Sequence, residues 1–195
     1  MNNAIRQASI IVFLLFTSVC FAKTEEAIFA GGCFWCMEAD FDHLPGVIST
    51  TSGYDGDTTK DPSYEQVSAG TTNYAESVLV TFDPEQISYK QLVDYFYRHI
   101  DPTTKDAQFC DQGRQYRSAI FYLTTEQKET ALSVTKTLKQ SLPELYTEIA
   151  PSTHFYPAEE YHQNYYQKNL IRYKYYRYRC GRDARVEEVW SHEKN

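Results

Sequence analysis

The sequence predicts an α+β domain in which one mixed β-sheet is flanked by helices. Short runs rich in apolar and β-branched residues alternate with longer segments of helical periodicity, the pattern of an α/β or α+β architecture. Ser88-Tyr89-Lys90-Gln91 and Thr124-Thr125-Glu126-Gln127 each place a hydroxyl three residues before a glutamine, which marks a capped helix start. A hydrophobic fraction of 42%, with aromatics at 15% of the chain, is enough to bury a core and excludes a disordered chain.

The first 22 residues read as a secretory signal peptide. Arg6 precedes the apolar run Ile10 to Phe16, and small or neutral residues lead to Ala22 before the polar Lys23-Thr24-Glu25-Glu26. The run is shorter than the roughly 20 residues needed to span a bilayer, and Thr17 and Ser18 interrupt it. Cleavage is expected after Ala22, with an exported, periplasmic or secreted location and a single domain over residues 23–195. Lipid attachment at Cys20 is the lesser alternative, because bulky Val19 stands where a small residue is expected. The formal net charge of −7 argues against general nucleic-acid binding.

Ala27 to Ala30 reads as the end of a short strand, and Gly31-Gly32 permits a sharp turn into a helix that opens at Cys33. This stretch, GGCFWCME, sets two cysteines three apart beside two aromatics and Glu38. A thiol at a helix start meets free N–H groups and the positive end of the helix dipole. Cys33 is therefore expected to ionise below the ordinary thiol pKa of about 8.5 and to act as a nucleophile, with Cys36 as its neighbour. The bland reading makes the cysteines small buried hydrophobes, Phe34 and Trp35 core residues, and Glu38 a solvated helix residue. A zinc site would need a second close pair, and Cys110 and Cys180 stand apart. Structural disulfides are a further alternative outside the cytosol, although a domain of this size folds without them.

Leu44-Pro45-Gly46 turns the chain into a strand over Val47 to Tyr54, and Asp55 to Pro62 reads as a surface loop that delivers Tyr64. Ala75 to Phe82 is a strand with Glu76 near its start, closed by Asp83-Pro84. The helix from Ser88 sets Leu92, Phe96 and His99 or Ile100 on one face and ends before Pro102. A polar loop, Thr103 to Gln115, then leads through Cys110 and Asp111 to Tyr116 and a strand over Ser118 to Leu123. The helix from Thr124 runs to about Ser141, ahead of Pro143, and a short strand covers Thr147 to Ala150. Pro157-Ala158-Glu159-Glu160 has proline and acids where a helix begins, predicting a helix that carries Tyr161, His162 and Tyr165.

Near the C-terminus, Lys174, Arg177, Arg179 and Arg182 interleave with Tyr173, Tyr175, Tyr176 and Tyr178 around Cys180. Such a pattern is compatible with a nucleic-acid patch. The favoured reading has the tyrosines pack over the domain while the arginines face water or pair with the acidic body.

In order along the chain, GGCFWCME, GYDGDTTKDPSYEQV, TNYAESV, CDQGRQYRSAIF and PAEEYHQNYY make it resemble the A-type peptide methionine sulfoxide reductases. The resemblance covers nearly all of residues 23–195. It implies an α/β two-layer sandwich with a ferredoxin-like plait and a long coiled C-terminal segment. It also implies reduction of methionine S-sulfoxide, free or in proteins, with Cys33 as nucleophile and Phe34 and Trp35 cradling the methyl group. Glu76, Tyr64, Tyr116 and Asp111 would then form the polar side of the pocket. The chemistry suits those residue types, since a thiolate attacks the sulfoxide sulfur only if the departing oxygen is protonated or strongly hydrogen-bonded. Glu76 is the candidate acid. Beside this stands the reading of Glu76 as one member of a satisfied polar cluster and Asp111 as a turn residue.

Oxygen transfer leaves a sulfenic acid on Cys33, which condenses with a second thiol and is reduced from outside. In the family the resolving thiol commonly lies in the C-terminal segment, which ranks Cys180 first, Cys36 second and Cys110 third. The expected reductant is a thioredoxin-type dithiol, with no bound cofactor. No metal is expected, because thiol chemistry needs none and His154 and His162 read as packing residues. The remaining expectations are a monomer with no stable membrane span and no nucleic-acid partner. Two departures from the family pattern stand out: Asn73-Tyr74 where Gly-His is usual, and Asp57 where a glycine is usual. A thioredoxin-like exchange pair at Cys33 and Cys36, and a secreted binding module with structural cysteines, are the competing functions.

Overall fold

The structure is a computed structural model that describes residues 23–142 and 144–191. The expected signal peptide, including Cys20, lies outside the described residues. Among the described residues no helix is long and apolar enough to cross a membrane.

Strand β1 (Glu25–Gly31) leads into α1 (Phe34–Asp42), β2 (Val47–Asp55), the short α2 (Tyr64–Ser68) and β3 (Ala75–Phe82). Helix α3 (Tyr89–Arg98) follows, then a small hairpin of β4 (Ala107–Gln108) and β5 (Asp111–Gln112), a 3-10 turn at Arg114–Tyr116, and β6 (Ser118–Tyr122). The chain continues through α4 (Thr125–Leu138), β7 (Glu148–Pro151) and β8 (Tyr156–Pro157), and a second 3-10 turn at Glu160–His162. It finishes with α5 (Tyr165–Lys168), α6 (Leu170–Arg179) and α7 (Arg182–Trp190).

The main sheet has the order β7-β6-β1-β3-β2-β8. Its four central strands follow the sequence β1, β2, β3, β6 in a spatial order that sets β1 and β3 side by side, each antiparallel to its neighbours. With α1 after β1 and α3 between β3 and β6, this is the ferredoxin-like plait. Helix α4 makes the crossover that lets β7 pair parallel to β6.

Alternation along the strands decides which face is which. Ala27 and Phe29 of β1 and Val78, Val80 and Phe82 of β3 face the helices, meeting Phe34, Met37 and Phe41 of α1 and Leu92, Val93 and Phe96 of α3. Phe29 stacks on Phe41 and Phe96 at 5.1 Å, which places it at the centre of the core. Glu76 shares this face by its even spacing from Val78, so the sheet aims a carboxylate at the start of α1.

Both capped helices are present: Ser88 and Gln91 form a reciprocal capping box on α3, and Thr124 accepts from the Gln127 N–H on α4. A third box, Ser63 with Gln66, opens α2 in the region read as the approach from a loop. The Ser-x-x-Gln pattern was present there too; the surrounding polar, proline-containing segment hid it.

Two expectations fail, both near the C-terminus. Pro157 does not start a helix: Ala158 N–H donates to Ser52 O, and the Gln163 side chain exchanges hydrogen bonds with the Ser52 backbone. These bonds hold the segment along the β2 edge, so tertiary pairing overrides the local helix signal. The long coiled C-terminal segment is instead largely helical, as α6 and α7. The favoured reading of the tail holds in part, since Tyr173 is buried whereas Tyr175 and Tyr178 are exposed and Arg182 is buried at 2% exposure.

Candidate active site

The turn before α1 is built for close approach. A Cβ on Gly31 would stand 2.6 Å from Ile100 and 2.8 Å from the Met37 sulfur, and Gly32 has φ +85° with Gln108 pressed against it. Cys33 follows as the N-cap residue of α1, its carbonyl accepting from the Cys36 and Met37 N–H groups. Phe34 N–H donates to Glu76 Oε2 at 3.0 Å, binding the helix start to β3.

Cys33, Phe34, Trp35, Tyr64, Glu76, Asp111 and Tyr116 line one cavity of about 140 Å³. The structure thus brings together every residue expected to form the pocket. Tyr176 of α6 completes the wall, its hydroxyl donating to Asp111 Oδ2. The sequence marked that tyrosine only as one of several in the basic tail. The cavity is smaller than the roughly 300–1,000 Å³ that encloses a whole ligand, so it takes the end of a side chain.

Several residues outside the cavity hold its walls. The Trp35 ring stacks on Tyr165 at 3.7 Å and donates its indole N–H to His162 Nδ1 at 3.0 Å. His162 is buried, and burial lowers its pKa, so it serves as a neutral acceptor. Glu159 accepts from Tyr64 N–H at 2.9 Å and from the Tyr54 hydroxyl at 2.8 Å, joining α2 to β2. Asp57 accepts from Thr58, Thr59 and Asn73 N–H groups, so its departure from the family pattern ties the loop to the residues before β3. Tyr74 lies in the core with its hydroxyl on Thr59 O, outside the cavity lining. Glu38 is buried rather than solvated, accepts from Asn164 N–H, and is pushed up to about 7, chiefly by burial.

Electrostatically the cavity favours retained protons. Glu76 is pushed up to about 8 by burial, against the opposing Phe34 hydrogen bond. Burial likewise pushes Tyr64 up to about 12 and raises Tyr116. Cys33 departs from expectation: its thiol is raised well above the ordinary value by burial, then by its bond to Cys36 and the charges of Glu76 and Asp111. The helix start is present, but desolvation outweighs the dipole. Such a site offers a buried sulfur nucleophile, one protonated carboxyl and two tyrosine hydroxyls around a small apolar-walled space.

Cys33 and Cys36 are free and buried, whereas Cys110 and Cys180 form a disulfide with a Cα separation of 4.8 Å. The structure therefore pairs Cys180 with Cys110, not with Cys33. This bridge borders the cavity: Cys110 Sγ is 3.7 Å from Asp111 Oδ1, and Cys180 lies one turn beyond Tyr176.

A sequence model of the family described as peptide methionine sulfoxide reductase matches residues 25–194. Peptide methionine sulfoxide reductase MsrA of Acinetobacter baumannii is 51% identical over 145 residues, 74% of this chain and 84% of that protein. MsrA/MsrB of Vibrio cholerae is 46% identical over 177 residues, 89% of this chain; the chain spans 47% of that relative's length. The structure of Mxr1 from Saccharomyces cerevisiae in reduced form is similar at a TM-score of 0.73 and 33% identity, covering 76% of this chain and 87% of that one.

Proposed function

The chain belongs to the peptide methionine sulfoxide reductase family, and we infer from its cavity how it reduces methionine S-sulfoxide, free or in proteins, to methionine. The observation that carries the reading is the convergence of Cys33, Glu76, Tyr64 and Tyr116 on one small space walled by Phe34 and Trp35. The methyl group packs on Phe34 and Trp35, and the sulfoxide oxygen meets the Glu76 carboxyl and the tyrosine hydroxyls. Cys33 attacks the sulfur as Glu76 protonates the oxygen; methionine leaves and Cys33 becomes a sulfenic acid.

For the second half of the cycle, Cys180 attacks the sulfenic acid, releasing water and forming a Cys33–Cys180 disulfide. Cys110 then displaces Cys33, regenerating its thiol and leaving Cys110–Cys180 for an external dithiol of the thioredoxin type to reduce. The observed Cys110–Cys180 bridge beside the cavity, with Cys33 free, supports this order. Export, with cleavage after Ala22 and action on oxidised proteins outside the cytosol, is part of the same proposal and is motivated by residues 1–22.

The deciding experiment is single-turnover reduction of each methionine sulfoxide epimer by the pre-reduced protein, with mass spectrometry of the new disulfide. The S epimer alone is expected to yield methionine, and Cys33→Ser to yield none. In Cys110→Ser the Cys33–Cys180 bridge should accumulate. Methionine formed by folded Cys33→Ser would overturn the mechanism, and a Cys33–Cys36 bridge would reassign the resolving thiol.

A further inference from the structure

The motif that carries Cys33 also carries Glu38, to which the course above assigns no task. Glu38 lies on α1 one turn beyond Trp35 and is fully buried. Its Oε1 accepts the Asn164 N–H at 3.0 Å, joining α1 to a segment far along the chain. A carboxyl taken out of water is unfavourable unless its hydrogen bonds compensate, so this one bond defines what the side chain does.

Asn164 stands between the two residues that grip Trp35. His162 accepts the indole N–H at 3.0 Å, and the Tyr165 ring covers one indole face at 3.7 Å with the planes 8° apart. At Asn164 itself φ is 52° and ψ 36°, a left-handed conformation that redirects the chain between those two contacts. Gln163 is fixed from the other side, its side chain bonded to the Ser52 backbone and the Ala158 carbonyl. Tyr166 is tied to α1 farther on, its hydroxyl donating to Asp42 Oδ2 at 2.8 Å. Glu38 is thus the α1 group that fixes the backbone within the grip. Tyr176 meets the indole only edge-on, with centroids 5.9 Å apart. Trp35 lines a cavity of about 140 Å³, so a modest rotation of its ring changes much of the space open to a methyl group. Tryptophan has several staggered side-chain conformers, and the grip selects one before substrate arrives.

We propose that Glu38 is a positioning residue: by holding Asn164 it closes the His162–Tyr165 grip on Trp35, and so sets the affinity for the sulfoxide rather than the rate of oxygen transfer. This role rests on the reading of Trp35 as the wall that receives the substrate methyl group. The polar side of the cavity is anchored without Glu38, since Glu76 is bonded to the Phe34 N–H and Asp111 to the Tyr176 hydroxyl. Loss of the Glu38 acceptor therefore leaves the proton donor in place and loosens only the apolar wall.

The test measures first-turnover methionine release by pre-reduced protein as the concentration of methionine S-sulfoxide is varied, which separates the half-saturating concentration from the limiting rate. Trp35 emission is followed alongside, with Trp35→Leu supplying the background of Trp190, the second of the chain's 2 tryptophans. Glu38→Met, similar in length but without the acceptor, is expected to raise the half-saturating concentration by about 10-fold. Its limiting rate should stay that of the parent, and its Trp35 emission should move to longer wavelength as the ring gains water. Glu38→Gln keeps the acceptor and should restore both values. His162→Phe, which removes the partner of the indole N–H, should reproduce the Glu38→Met effects, and it decides the matter if Glu38→Met does not fold. In a Trp35→Leu background Glu38→Met should add nothing. A folded Glu38→Met or His162→Phe protein with the parent's half-saturating concentration and emission overturns the proposal. So does a Glu38→Met effect that persists in Trp35→Leu, a fall in limiting rate at unchanged half-saturation, or a Glu38→Gln protein as impaired as Glu38→Met. Failure of the unmodified protein to release methionine, or parental affinity in Trp35→Leu, rejects the underlying reading instead.

Discussion

In the mechanism we propose, Glu76 sets the alkaline limit of the first chemical step. Its carboxyl is pushed up to about 8 by burial, so the proton it donates is present at neutral pH and is lost as pH rises through that value. Glu76→Gln is expected to slow first-turnover methionine release by about 10- to 10,000-fold while leaving the fold intact. It should also remove the alkaline fall that this group contributes to the rate of release. The same displacement has a stability consequence: relative to an unfolded carboxyl near 4.5, the contribution of protonated Glu76 is full at lower pH and is lost as pH rises through about 8. Denaturant titrations should therefore show less loss of stability in Glu76→Gln than in the parent over that interval. At this scale the residue types were legible, but the balance at Cys33 was not, because the thiol's desolvation depends on residues far along the chain.

Helix α2 shows how a five-residue element positions a residue of the cavity wall. Its capping box holds the chain at Ser63, and the next residue, Tyr64, is fixed by its N–H bond to Glu159. Ser63→Ala and Ser88→Ala should each cost about 1 kcal/mol in denaturant unfolding. The Ser63 variant alone should also weaken methionine release, because Tyr64 then loses part of its support. Equal activities in the two variants would show that Glu159 suffices to hold Tyr64. The capping signal of α2 was as readable as that of α3, whereas the failure of the Pro157 helix had no local sign. Its Ala158 N–H is claimed by the Ser52 carbonyl, more than 100 residues away in sequence.

For the whole molecule, the C-terminal helices act as a clamp over the plait. Arg177 and Arg182 tie α6 and α7 to Asp40 on α1, while Cys180 is bonded to Cys110 across a separation of 70 residues. Closing a loop of that size restricts the unfolded chain, and its reduction should lower unfolding stability by about 2–4 kcal/mol. Comparing equilibrium unfolding of oxidised protein with that of Cys110→Ser under identical conditions measures this directly. A difference near zero would mean that helix packing alone holds the clamp and that the bridge serves only exchange.

The resemblance to the reductase family named the residues that line the cavity, apart from Tyr176; the sequence by itself determined the alternation of strands and helices, the capped helix starts and the two-glycine turn. These follow from short-range causes: periodicity, hydrogen-bonding caps and the backbone freedom of glycine. Only the tertiary structure decided the desolvation of the Cys33 thiol, the Cys110–Cys180 pairing, the place of Tyr176 in the cavity and the burial of Arg182. Each depends on burial or on a contact between segments remote in sequence, and neither can be read from the neighbours of a residue along the chain.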